Sequence, residues 1–174
     1  MLIALGAAAR IGFDWLAVSL PTPVYGVVVK VGFSETLAIT SGLVFGPVQG
    51  FLVGGLIIVV SDLYIAPGPW TPFIAGIIGL LGVFGGLLRG RVWSAPGSLA
   101  AVAVAATLLS ELLQNTWVSL FYNIPLVATM ATGIPSLLTA LINNTILLTT
   151  IGPKIIRVLR ERVVRPMVEE ARHD

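Results

Sequence analysis

No charged side chain stands between Glu35 and Asp62, between Asp62 and Arg89, or between Glu111 and Lys154. Each of these stretches is long enough to cross a bilayer, which takes about 20 mostly apolar residues. Only 10% of the 174 residues are charged and 56% are hydrophobic, whereas about 25% are charged in a typical soluble domain. Mean hydropathy is +0.99. A soluble fold would have almost no polar surface to show water. The expected fold class is all-α: a polytopic membrane bundle.

Proline and glycine divide the apolar chain into six segments. Residues 2–20 form the first, closed by Pro21 and Pro23. Arg10 and Asp14 interrupt it and it lacks a basic leader, so a transmembrane helix is expected rather than a signal peptide. The second, 33–45, is short and stops before Pro47. The third, 48–65, ends at the Pro-Gly-Pro of residues 67–69, a firm break. The fourth covers 70–88 and the fifth 98–122. An irregular stretch, 123–135, is expected before the sixth, which runs to 151. Residues 1–153 then form one transmembrane domain, and 154–174 a basic amphipathic tail helix lying at the cytoplasmic surface.

Basic residues orient the bundle. Six of the ten Lys and Arg lie beyond residue 153, and Arg89 and Arg91 lie between segments four and five. With six crossings both groups fall on one side, which the positive-inside rule makes cytoplasmic. Both termini are then cytoplasmic, in a multi-pass protein of the plasma membrane. A nucleic-acid reading of the pI near 9.4 is set aside, because the cations gather at one end without interleaved aromatic residues.

A central carboxylate in a membrane helix costs roughly 2.5 kcal/mol or more, so Asp14, Glu35, Asp62 and Glu111 imply a task. At about 100° per residue, Glu111, Asn115 and Tyr122 share one helix face, with Thr107 and Gln114 beside it. Ser136, Thr139 and Asn143 share a face of segment six, with Asn144 a quarter-turn away. Glu35, Asp62, Trp70 and Trp117 fall at similar, outer depth. Together these residues suggest an outward-facing pocket for a polar, partly planar solute. Two plainer roles stay open: amides that bond helix to helix, and Trp70, Trp93 and Tyr64 as an interfacial aromatic belt. Arg10 and Asp14, four residues apart, are expected to neutralise each other. Small residues recur at four-residue spacing, as in Ala4 and Ala8, Gly46, Gly50 and Gly54, and Gly82 and Gly86. Such stripes let helices meet closely, and the first could receive a partner helix.

The chain has no cysteine and a single histidine, His173. Lys30 and Lys154 are its only lysines, and neither stands in a phosphate-binding glycine loop. No nucleophile motif appears. No enzyme activity, metal or cofactor is expected, and any use of ATP must come from another subunit.

The order of these features resembles the substrate-binding S component of energy-coupling factor (ECF) transporters. ALGAAAR at 4–10 is similar to that family's alanine motif on its first helix. SGLVFGPVQGFLVGGLIIVVSDL at 41–63 is similar to its short second helix, Gly-Pro turn and third helix. APGPW at 66–70 and the closing NNTILLTTIGPKIIRVLRER fit the same order. QNTWVSLFYN at 114–123 is similar to the fifth helix of folate-type S components.

The resemblance implies a subunit that captures a vitamin or related micronutrient at the outer side and topples to deliver it inward. It would do so after docking, through Ala4 and Ala8, on a transmembrane coupling subunit driven by two cytoplasmic ATPases. Glu35, Asp62, Trp70, Glu111, Gln114, Asn115, Trp117, Tyr122 and Asn143 are the expected solute-binding residues. Folate-like pterins, thiamine-like compounds and deazapurines are the candidate solutes. The alternative functions are a membrane scaffold of the rod-shape-determining MreD type and a carrier or channel working alone. A scaffold needs no outer pocket. A lone carrier needs a continuous polar path, which the inner half does not offer beyond Thr149 and Thr150.

Overall fold

The computed structural model describes residues 1–19, 32–65, 67–90 and 95–161. The element order among them is α1 (Leu2–Ser19), α2 (Phe33–Phe45), α3 (Pro47–Ile65), α4 (Thr71–Leu87), α5 (Pro96–Tyr122), α6 (Leu126–Thr150) and α7 (Gly152–Leu159). The first six are the expected segments, and the protein is an all-helical, multi-pass membrane bundle. By length and hydropathy three helical stretches suffice to cross a bilayer alone: Pro47–Ile65, Gly97–Tyr122 and Leu126–Leu159. Leu2–Gly12, Phe33–Phe45 and Thr71–Leu87 are shorter apolar helices.

The shortest of the six sits deepest. Ten of the 13 residues of α2 are buried. It packs on α3 and α4 and also touches α1, α6 and α7. Glu35 in the first turn is its single charge, and small Ser, Thr, Ala and Gly residues let apolar and polar positions alike be packed inside the bundle. Surrounded by protein, α2 can measure only about 20 Å without exposing polar backbone to lipid. It ends at Gly46, whose φ of +106° is open to glycine and strained for other residues. Pro47 follows as the first residue of α3, where its missing N–H leaves nothing unsatisfied.

Glycines set how close the neighbours come. A Cβ on Gly82 would fall against the Gly50 carbonyl, one on Gly54 against the Ile78 carbonyl, and one on Gly85 against the Ile39 carbonyl. Here α2, α3 and α4 meet backbone to backbone. Leu43, Ile58 and Leu81 fill the space between these contacts, and the same core continues to Leu99 on α5, Leu148 on α6 and Leu159 on α7.

The ends of the helices fix which loops share a side. Arg89, just past α4, donates to the Phe45 carbonyl at the end of α2 at 3.3 Å. Helix α7 packs against α2, and Arg160, just past α7, feels the like charge of Arg89. The ends of α2 and α4 therefore lie with α7 on the basic side, which the positive-inside rule assigns to the cytoplasm.

One expectation is corrected. Residues 123–135 are not an irregular stretch: α6 begins at Leu126, and the connection shrinks to Asn123–Pro125. Asn123 makes the reversal at φ +54°, a conformation asparagine tolerates, and the Ile124 amide closes it on the Ser119 carbonyl at 3.0 Å. Pro135 stands inside the helix as membrane helices allow. Arg10 bonds Ser61 and Asp62 of α3. The side chain of Asp14, its expected partner, lies outside the described residues, as do Lys30, Trp93 and the tail beyond Glu161.

Candidate functional site

Helix α5 and helix α6 form an antiparallel hairpin that encloses a small groove. Leu108, Glu111, Leu112 and Asn115 line it from α5, and Met130, Gly133 and Leu137 from α6. Its cavity is about 80 Å³, room for a few waters or the edge of a larger solute. Gly133 makes the space, since a Cβ there would stand 3.1 Å from Asn115 Oδ1. Glu111 is buried on α5. Asn115 turns its amide back along its own helix and donates to the Glu111 carbonyl at 2.8 Å. Gln114 donates to Ser110 at 2.8 Å, on the adjoining face.

One turn further in, Asn144 Nδ2 donates to Thr107 Oγ1 at 3.0 Å, a buried bond that joins α6 to α5. Asn144 Oδ1 is buried without a hydrogen-bond partner and packs over Gly32 at the start of α2. Thr36 and Thr40 on α2 also carry buried, unpartnered hydroxyls. A polar column thus runs from Asn115 through Glu111 and Thr107 to Asn144. Unpaired hydrogen-bonding groups in such a dry place are costly, and they mark where a polar solute edge or bound water gains most.

The remaining expected residues are dispersed. Trp117 lies on another face of α5, stacked on Phe121 at 5.1 Å, tilted against Phe73 of α4 at 5.4 Å and edge-on to Tyr122 at 6.2 Å. Glu35 is half-buried in the first turn of α2, where Ser34 donates to it at 3.1 Å. Trp70 stands partly exposed before α4. Asn143 is half-buried on α6 and is not among the groove-lining residues.

Asp62 is 2% exposed and already spoken for. Arg10 bonds one of its oxygens at 2.5 Å, and Thr71 donates to the other at 2.6 Å. These contacts tie α1, α3 and the start of α4 into one knot. On α1 itself, Ala4 and Ala8 are exposed while Ala7 is buried, so the two alanines face away from the bundle.

Helical periodicity places Asn143 on the expected polar face and Asn144 a quarter-turn away. The sign in favour of Asn144 was its neighbours at four-residue spacing, Ala140 and Leu148, both of which are buried.

Comparison with known proteins fixes the family. A family model described as the S component of an ECF-type riboflavin transporter matches residues 1–157. Among curated proteins, the UPF0397 protein YdcD of Lactococcus lactis subsp. lactis (strain IL1403) is 34% identical over 83 residues, 47% of this chain and 44% of that protein. A UPF0397 protein of Lactococcus lactis subsp. cremoris (strain MG1363) is 34% identical over 80 residues, 46% of this chain and 42% of its own length. The matched part thus spans less than half of these curated relatives. No solved structure matches significantly. The folate-type likeness of residues 114–123 finds no support in the riboflavin-type match. With nearly its whole length matched, the chain belongs to the S-component family of energy-coupling factor transporters.

Proposed function

We propose that this protein is the solute-binding subunit of a vitamin uptake transporter and that its solute is a riboflavin-type heterocycle. The observation that carries this reading is the family match over residues 1–157. The site chemistry is compatible with it. Glu111 and Asn115 beside Gly133 offer hydrogen-bonding groups in an apolar groove, the combination that orients a planar polar ring system. The cluster of Phe73, Trp117, Phe121 and Tyr122 lies outside the groove, between α5 and α4.

In this reading Glu111 and Asn115 contact the solute, with Gln114 supporting the mouth. Asp62 serves the bundle through Arg10. Exposed Ala4 and Ala8 meet a transmembrane coupling subunit, because small side chains let two helices approach closely. Two cytoplasmic ATPases on that subunit provide the energy. The family's role is transport, which separates this reading from the MreD-type scaffold and the lone carrier.

The test is direct titration of the purified full chain, in lipid nanodiscs, with riboflavin and a panel of other vitamins. Quenching of flavin fluorescence at sub-micromolar protein supports the proposal. A folded protein that binds no vitamin in the panel overturns it, and tight binding of a non-flavin vitamin overturns the choice of solute. Glu111→Gln and Asn115→Ala should each weaken binding about tenfold or more, the effect of roughly 1.4 kcal/mol.

A further inference from the structure

Four cations from two parts of the chain lie at the end of the molecule remote from Asp62. Helix α7 packs against α2, and Arg160, just past α7, feels the like charge of Arg89, just past α4. Arg89 is held there by its bond to the Phe45 carbonyl. Helix α7 turns Ile156 and Leu159 inward, both buried, while Lys154, Arg157 and Val158 are exposed. Its apolar face is therefore already covered by the bundle, and the basic face is what it presents outward. Of the described carboxylates only Glu161 lies at this end, and it is exposed.

We propose that Arg89, Lys154, Arg157 and Arg160 form a binding site for the headgroup phosphate of an anionic phospholipid in the cytoplasmic leaflet. Charge complementarity selects an anion, and Arg guanidinium groups pair well with phosphate oxygens. The surroundings select a lipid over free phosphate. Val48 at the start of α3, Leu87 at the end of α4 and Val158 on α7 are all exposed, giving acyl chains an apolar surface beside the cations. A cytoplasmic leaflet rich in anionic lipid attracts basic segments lying at its surface. The Arg160 guanidinium agrees with this: burial first, and then the like charge of Arg89, lower its pKa. A phosphate between the two arginines offsets both effects.

The experiment reconstitutes the full chain in nanodiscs of phosphatidylcholine alone or mixed with phosphatidylglycerol. Native mass spectrometry reads the retained lipids, and thermal melting reads stability. The wild type should retain phosphatidylglycerol in preference to phosphatidylcholine and melt higher in its presence. Arg89→Gln with Arg160→Gln should cut that preference about tenfold and abolish the shift in melting. Should this double variant fail to fold, Lys154→Gln with Arg157→Gln, both on the exposed face, should still reduce the preference measurably.

Equal retention of the two lipids by the wild type overturns the proposal. So does an undiminished preference in the variants. A melting shift reproduced by inorganic phosphate in pure phosphatidylcholine assigns the site to a free anion instead. Unchanged lipid preference combined with lost co-purification of a coupling subunit assigns the patch to protein contact. Vitamin binding is measured in parallel, so a failure of this site is distinguishable from a failure of the transport reading.

Discussion

The bundle has two differently built halves. In α2, α3 and α4, glycine lets main chains touch, and nothing there can shift without moving a backbone. In α5 and α6, side chains fill the interface, and many of them are polar. Thr116, Thr132, Thr139 and Thr149 spend their hydroxyls on carbonyls of their own helices, and Pro135 interrupts the ladder of α6. The most apolar stretch of Leu126–Leu159 is only 11% buried, against 33% for that of α3 and 39% for that of α5, so α6 is the outlying member of this half. Lipid offers no hydrophobic reward for bringing helices together, so contact geometry decides their adhesion. The first half is a rigid wall, and the second is a softer side in which a site can open.

That contrast can be broken experimentally. The largest expected effect is that of Asp62→Ala, which strands Arg10 in a partly buried position. Removing one partner of such a pair costs about 3–5 kcal/mol, and melting of the protein in nanodiscs should register most of it. Gly82→Val comes next, because its side chain has the Gly50 backbone in its way. Overpacking of this kind costs about 1–3 kcal/mol, and a larger loss here would show how little the wall yields. Gly76→Ala is the matched control on the same helix. Nothing lies within 4 Å of its added Cβ, so it should leave melting unchanged or raise it, by at most about 1 kcal/mol.

On the softer side the effects should be smaller. Asn144→Ala removes the bond to Thr107, and such interhelical bonds in membranes average about 0.6 kcal/mol. Glu111→Gln keeps the size of a buried side chain and should lower melting less than Asp62→Ala does while weakening solute binding, measured by flavin titration. A strong loss of stability from either variant would mean that the two halves do not differ as described.

The same contrast explains what could be read from residues alone. The turn from α2 to α3 was legible because Gly46 and Pro47 have strict local requirements. The wall was legible as a rhythm of glycines, although spacing does not say which helix each glycine faces. The start of α6 was not legible, because Pro135 looks like a boundary in water and is tolerated in lipid. The bond of Arg10 to Asp62 was not legible, because it depends on α1 lying beside α3. Asn143 and Asn144 are amides in adjacent positions, and only the surroundings of the folded helix separate them. Glu111 and Asn115 were placed on one face by helical periodicity, and the structure puts both in the groove.

The Arg10–Asp62 pair has a consequence for biosynthesis. Asp62 is translated well after Arg10, so the first helix leaves the ribosome before its partner on the third exists. Until then the carboxylate within reach is Asp14, four residues on along the same helix. The tie between the two helices closes only when the third arrives, and the earliest part of the polypeptide becomes one of the later parts to reach its final place.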